Sequence, residues 1–318
     1  MPCYHPLKAY QADGQKKILF KVPESGNYNP LQLPCGQCIG CRLERSRQWA
    51  IRCVHEASLY EENCFITLTY SPDHIPLDGS LNKTHFQNFM KYLRRDHGSK
   101  IRFFQCGEYG DQLSRPHYHA CLFNFDFPDK EILSTRDGII LYTSKILADL
   151  WGKGFCTIGQ VTHESAAYVA RYVMKKITGK QKDHLNEAGL KHYETIDHHG
   201  EIQNKTPEYI TMSRRPGLAR GWYDQYSDDV YPSDQIITQT GSISKPPRYY
   251  DNLLERTTDQ REENEISSSP RMTLTIIKGL RKQHALLKQE DNTPERLKVR
   301  EICKQQQINH LPRAIHET

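Results

Sequence analysis

The side chains best suited to chemistry lie in Arg115-Pro116-His117-Tyr118-His119-Ala120-Cys121-Leu122-Phe123. On a strand, alternate residues share a face, so His117 and His119 present two imidazoles side by side while Tyr118 turns to the opposite layer. Neutral imidazole is the commonest metal-ligating side chain. A bare His-x-His equally describes two ordinary surface histidines on an edge strand. Glu108 tips the balance, because it ends the preceding strand-like run in Cys106-Gly107-Glu108-Tyr109-Gly110. If the two strands pair, its carboxylate reaches the same point; its competing use is an ion pair with Arg115. Two imidazoles and one carboxylate leave open positions where a hard divalent metal can hold phosphate oxygens.

A second constellation is Tyr168-Val169-Ala170-Arg171-Tyr172-Val173-Met174-Lys175-Lys176. On a helix Tyr168 and Tyr172 project from one face, and Arg171 and Lys175 each follow a tyrosine by one turn. A phenol has a pKa of about 10 and is a poor nucleophile until a cation or metal stabilises the phenolate. Tyrosines of an amphipathic helix more commonly pack in a core, and the histidine pair is what favours chemistry here. Combined, the groups fit one reaction: a metal polarises a phosphodiester, one tyrosine displaces the 3′ oxygen, and a second tyrosine or the returning 3′ hydroxyl rejoins strands without ATP.

These groups need elements to hold them. Helical spacing runs from Ile39 to Tyr60, from Thr84 to Asp96, from Ser144 to Trp151 and from His163 to Ile177, the last with Thr162 as N-cap. Strands are expected over Cys64–Tyr70, Ile101–Cys106, Tyr118–Phe125, Gly154–Val161 and Tyr209–Met212. That order suggests an α+β layer with a mainly antiparallel sheet. Residues 1–34 read as an irregular arm, and residues 257–270 as a polar linker before a terminal helix and a charged tail. The expected division is an N-terminal arm and helix (1–62) packed on a catalytic core (63–180), its continuation (181–250), and a polar linker with a helical tail (251–318).

The chain has 318 residues and a net charge of +5, which permits a polyanionic partner without demanding one. No apolar run approaches the roughly 20 residues of a membrane span, and the N-terminus lacks a secretory signal pattern. Five of the ten cysteines precede residue 54. In a reducing compartment such clustering points to metal more than to disulfides. Cys35-x2-Cys38-x2-Cys41 supplies three thiolates, and Cys3 or His5 would complete a structural Zn²⁺ site; reduced thiols at a tight turn carry equal weight. Basic runs, from Arg42 to Arg52 and from Lys83 to Arg102, would track the phosphates of a single strand while aromatic rings stack on its bases.

Phe65-Ile66-Thr67-Leu68-Thr69, Pro116-His117-Tyr118-His119 and Tyr168 to Lys176 resemble, in order, the three motifs of the HUH-superfamily rolling-circle replication initiators. The paired tyrosines are similar to those of the A proteins of phi-X-type microviruses, and Glu108 is similar to the metal-binding Glu of circular single-stranded DNA virus initiators. Roughly the first 230 residues resemble the replication initiation proteins of gokushoviruses. The segment from Cys35 to Trp49, Gly221-Trp222-Tyr223 and Tyr231-Pro232 carry that likeness, and nothing beyond residue 250 does.

The resemblance implies an HUH endonuclease-like antiparallel sheet (ferredoxin/RRM-like) flanked by helices. It implies Mg²⁺ or Mn²⁺ held by His117, His119 and Glu108, with Tyr168 and Tyr172 as nucleophiles and Lys175 and Lys176 beside them. Thr67, Thr69, Arg115 and Arg171 would contact DNA or support the site. The expected activity is a site-specific single-strand DNA endonuclease and strand transferase that starts and ends rolling-circle replication of a small phage genome in the bacterial host cytoplasm. Its partners would be single-stranded and replicative-form origin DNA and the host helicase and polymerase. The alternatives are an HUH transposase or relaxase, and a zinc-bearing, non-catalytic nucleic-acid-binding protein.

Overall fold

A computed structural model describes the chain apart from residues 1–2, 13–16, 23, 25, 111–112, 137, 176–182, 197–198, 232, 239–240, 264–268 and 310–318. Of residues 136, 171–175, 259–263, 269–272 and 309 it describes the backbone alone. The chain divides into two compact units, one of Met1–Arg45 with Lys278–Thr318 and one of Ser46–Ile277.

In chain order the first elements are β1 (Leu7–Ala12), β2 (Ile18–Leu19), β3 (Tyr28–Leu33), α1 (Ile39–Ala57), β4 (Asn63–Thr69) and α2 (Lys83–His97). There follow β5 (Arg102–Tyr109), β6 (Pro116–Phe123), β7 (Glu131–Arg136), β8 (Ile139–Thr143), α3 (Lys145–Trp151), β9 (Cys156–Gly159) and α4 (His163–Lys175). The remainder holds β10 (Glu194–Ile196), β11 (Ile202–Asn204), β12 (Tyr209–Met212), α5 (Arg220–Val230), β13 (Ile236–Ile237), β14 (Ile243–Ser244), α6 (Arg248–Glu263), α7 (Ser269–Leu287) and α8 (Pro294–Asn309).

The larger unit is built on a seven-stranded sheet in the order β12-β5-β6-β4-β9-β8-β7, with β6 flanked by β5 and β4. Every pairing in it is antiparallel. Side-chain alternation divides its faces. Cys64, Ile66 and Leu68 of β4 and Tyr118, Ala120 and Leu122 of β6 join Phe86, Phe89, Met90 and Leu93 of α2 and Leu147 and Trp151 of α3 in one core. Fully burying each such aliphatic or aromatic chain contributes about 1.5–3 kcal/mol. A one-residue slip of β6 would move the whole set to the other face. Tyr118 locks this layer, because its hydroxyl accepts from Asn82 N (3.0 Å) and donates to Asn82 O (2.9 Å) at the start of α2.

The odd-numbered residues of β4 and β6 face the opposite layer. There Trp49 of α1 stacks on Phe104 at 5.0 Å between centroids, and Tyr168 of α4 meets Phe65 edge-on at 6.4 Å. Gly154 lies against the backbone that follows β4. A Cβ there would come within 2.2 Å of Ser71 N, and its φ is +146°, a conformation glycine alone tolerates well. A second cluster in this unit gathers Ile51, Tyr223, Val230, Tyr250, Leu253 and Ile277.

The structure is the expected α+β arrangement of an antiparallel sheet flanked by helices, with departures in detail. The N-terminal arm is not irregular, since β1, β2 and β3 form an antiparallel sheet in the order β2-β1-β3. The polar stretch expected as a linker from residue 257 is helical as far as Glu263. Its polar side chains turn back on the helix, Thr257 Oγ1 donating to Leu253 O at 3.0 Å and Thr258 Oγ1 to Leu254 O at 2.8 Å. The β7–β8 hairpin is an addition to the expected order. Among the described residues no helix is long and apolar enough to cross a membrane.

Candidate metal centre and tyrosine helix

Strands β5 and β6 pair so that Glu108 lies directly opposite His117, and β4 and β6 pair so that Thr67 lies opposite His119 and Thr69 opposite His117. Register therefore carries Glu108, His117 and His119 to one place. Glu108 Oε1 lies 2.5 Å from His117 Nε2 and 2.9 Å from His119 Nε2. Glu108 and His119 are 1% and 3% exposed, and His117 is partly open to solvent.

The outer nitrogens are held as well. His117 Nδ1 lies 3.1 Å from the Arg115 carbonyl, which can only accept, so Nδ1–H donates and a neutral ring turns its Nε2 lone pair toward Glu108. His119 Nδ1 lies 3.0 Å from Thr67 Oγ1. Two imidazole lone pairs and a carboxylate facing one another require positive charge among them, either protons or a cation. Where protons fill that role, burial pushes the Glu108 carboxyl up, but the hydrogen bonds from His117 and His119 outweigh it and hold the pKa at about 2. Neighbouring ligands of an octahedral ion at about 2.1 Å stand about 3 Å apart. The donor set and its spacing thus fit a divalent metal, with the outer contacts orienting the rings as metal-bound histidines require.

The tyrosine helix begins at this layer. Thr162 and Ser165 cap α4 reciprocally, with Ser165 N donating to Thr162 Oγ1 (3.1 Å) and Thr162 N donating to Ser165 Oγ (2.8 Å). Ser46 Oγ of α1 also donates to Ala167 O at 3.3 Å. So fixed, α4 sets Tyr168 edge-on to the His119 ring at 5.2 Å between centroids, and Tyr168 is 4% exposed. Phe65 stacks on the His119 ring at 5.7 Å and meets Tyr168 edge-on at 6.4 Å, so the three rings pack as a triangle. Tyr172, Arg171 and Lys175 lie on α4 with their side chains outside the described set, and Lys176 lies outside the described residues.

Sequence reasoning brought the Glu and His residues together but missed what orients them. Thr67, expected to contact DNA or support the site, places its hydroxyl on His119. Arg115 contributes its carbonyl to His117. Phe65 is a wall of the site, and the β4–β6 register is what puts it on the face of His119. The basic run is largely engaged in structure: Arg94 donates twice to Ile101 O (3.0 and 2.8 Å), and Arg102 pairs with buried Glu56 and donates to Pro216 O. A groove of about 580 Å³ is lined by Lys100, Arg102, Arg214 and Arg215 among others.

In the smaller unit the sulfur atoms of Cys3, Cys35, Cys38 and Cys41 lie within 4.8 Å of one another. His5 lies elsewhere, its Nε2 2.8 Å from Glu301 Oε2.

Residues 63–177 match the family described as replication-associated protein ORF2/G2P. The chain is 32% identical over 279 residues to the replication-associated protein ORF2 of Spiroplasma virus 4, covering 80% of this chain and 81% of that protein. It is 33% identical over 262 residues to the replication-associated protein VP4 of Bdellovibrio phage phiMH2K, covering 79% and 76% respectively. Its identity to the replication-associated protein ORF4 of Chlamydia phage 1 is 37% over 180 residues, 54% of this chain and 43% of that protein. No solved structure matches.

Proposed function

The chain belongs to the replication-associated protein ORF2/G2P family of small single-stranded-DNA phages, and we propose that it acts there as a metal-dependent tyrosine endonuclease and strand transferase on origin DNA. Glu108, His117 and His119 would hold Mg²⁺ or Mn²⁺. When bound, that cation supplies Lewis-acid polarisation of the scissile phosphate. Thr67 Oγ1 and the Arg115 carbonyl keep both imidazoles turned with Nε2 inward. The phenolic oxygen of Tyr168 or Tyr172 loses its proton and bonds to phosphorus. The bond from phosphorus to the 3′ oxygen breaks, and that oxygen takes a proton to become a free hydroxyl. The 5′ side remains as a phosphotyrosyl ester, which the second tyrosine or a 3′ hydroxyl later attacks, so the bond energy is conserved. By their spacing in the sequence, Lys175, Lys176 and Arg171 would supply positive charge for the phenols.

The observation that carries this reading is the double use of His119, whose Nε2 meets Glu108 while its ring meets Tyr168. The burial of Tyr168 favours a second reading, in which this residue is structural and Tyr172 alone reacts or neither does. Labelled origin single strand with Mn²⁺, analysed after denaturation, separates them when Tyr168→Phe and Tyr172→Phe are also made singly, since full adduct formation by Tyr168→Phe and none by Tyr172→Phe favours the second reading. Wild type is expected to form a covalent adduct, which His117→Ala and the double change Tyr168→Phe/Tyr172→Phe both lose while single-strand binding persists. An adduct that survives the double change overturns the nucleophile assignment. Tight binding with no adduct from wild type transfers the case to a non-catalytic binding protein.

A further inference from the structure

The smaller unit has a metal-binding arrangement of its own, independent of the nicking site. Sγ of Cys35 and Sγ of Cys41 are 4.0 Å apart, as are Sγ of Cys38 and Sγ of Cys3. Tetrahedral zinc with Zn–S bonds of about 2.3 Å holds its sulfurs about 3.8 Å apart. A disulfide needs about 2.05 Å, so the four thiols converge on a centre rather than forming two bonded pairs. All four are free cysteines. The bridging atoms of an iron–sulfur cluster would spread the thiolates farther apart than this.

The backbone prepares the sulfurs to be anionic. Tyr4 N donates to Cys38 Sγ, Cys35 N to Cys3 Sγ and Cys38 N to Cys35 Sγ, each at 3.3 Å, and Gln37 N reaches Cys35 Sγ at 3.4 Å. Such N–H···S contacts offset thiolate charge around a bound metal. Gly36, at φ +73°, makes the turn that returns Cys38 to Cys35.

Packing supplies an independent reason. A hydrophobic cluster of this unit consists of Cys3, Tyr4, Cys38 and Leu297, with Cys35, Ile39 and Cys41 packed against it. Its centre is therefore the thiols themselves, which contribute little apolar burial. Small units with so thin a core are commonly held by a metal or by disulfides. Leu297 belongs to α8, so the same centre joins the N-terminal segment, the start of α1 and the C-terminal helix.

We infer that Cys3, Cys35, Cys38 and Cys41 form a structural zinc site that fastens the N-terminal segment and helix α8 to the cysteine turn. Each thiol that binds gives up its proton to solvent, and no electron transfer is involved.

The test is metal content of the full-length chain, made without a chelating tag in zinc-supplemented medium. About one zinc per chain is expected, retained in His5→Ala and lost in Cys38→Ser/Cys41→Ser. The comparison is made in a His117→Ala background, so that the Glu108, His117 and His119 centre does not hold zinc; no zinc there, or zinc that survives the double substitution, overturns the site, and iron in its place overturns the metal. Because the double substitution can itself prevent folding, a second measurement uses wild type alone. Cobalt exchanged into the protein should show thiolate-to-cobalt charge transfer and strong tetrahedral ligand-field bands, and their absence overturns the four-sulfur assignment. Zinc removal should also speed proteolytic release of both chain ends several-fold, and unchanged rates would overturn the fastening role. These readouts do not involve nicking, so the two assignments stand or fall separately.

Discussion

Replacing Thr67 with Val removes one hydroxyl and keeps the β-branched shape. That hydroxyl lies 3.0 Å from His119 Nδ1, so its loss frees the ring to turn and to change tautomer. Partners of this kind are typically worth about 10–100-fold in metal affinity. Thr67→Val is therefore expected to raise the Mn²⁺ concentration for half-maximal nicking by about that factor, with the rate recovering at saturating Mn²⁺. A Mn²⁺ titration of nicking checks this, and an unchanged midpoint would place Thr67 outside the positioning of His119. The role was hard to read in the sequence. Thr67 and His119 are 52 residues apart, and no local pattern indicates which threonine of a strand faces a given histidine.

Helices α1, α5 and α6 meet at His55. Its ring stacks on Trp222 at 3.6 Å and lies parallel to Tyr250 at 5.9 Å, and its Nδ1 is 2.8 Å from the Tyr250 hydroxyl. Burial pushes its pKa down to about 4. A histidine has a pKa of about 6.5 when unfolded. Above that pH both states are neutral and the packing is at full strength. As pH falls from about 6.5 to about 4 the unfolded chain takes up the proton first, so stability drops by up to about 3 kcal/mol. Thermal melts of wild type and His55→Phe across this window should show a steeper acid loss for wild type, and parallel curves would contradict it. At the start of α4, Thr162→Ala removes an acceptor for Ser165 N and is expected to cost about 1 kcal/mol in a denaturant melt. That cap was legible from one residue type at one position, whereas the three-helix stack was not, because aromatic spacing on one helix does not identify its partners on another.

Strand order across the larger unit leaves a groove beside the sheet, with Lys100, Arg102, Arg214 and Arg215 on its lining. If single-stranded DNA tracks it, Arg214 and Arg215 each neutralise a phosphate. Each such contact contributes about −0.7 to the slope of log K against log salt for a single strand. The double change Arg214→Ala/Arg215→Ala should then flatten that slope by roughly 1.4 and weaken binding without preference for sequence. Filter-binding or anisotropy at several salt concentrations measures it, and an unchanged slope removes this groove from the DNA path.

Strand and helix periodicity are properties of a few successive residues. The sequence alone therefore determined that His117 and His119 share a face, that Tyr118 points to the other layer, and that Tyr168 and Tyr172 lie one helical turn apart. It also determined the close spacing of Cys35, Cys38 and Cys41. It under-read the N-terminal sheet, whose strands are largely exposed or half-buried and so carry little apolar alternation. It under-read the polar end of α6 for the related reason that hydroxyls returning to their own helix look like linker chemistry. Only the tertiary structure decided that Glu108 stands opposite His117, that Thr67 and the Arg115 carbonyl orient the imidazoles, and that Cys3 rather than His5 joins the thiols. Those choices depend on strand register and on closing long stretches of chain. Both are set by the burial and hydrogen bonding of the whole unit, which no short window of residues contains.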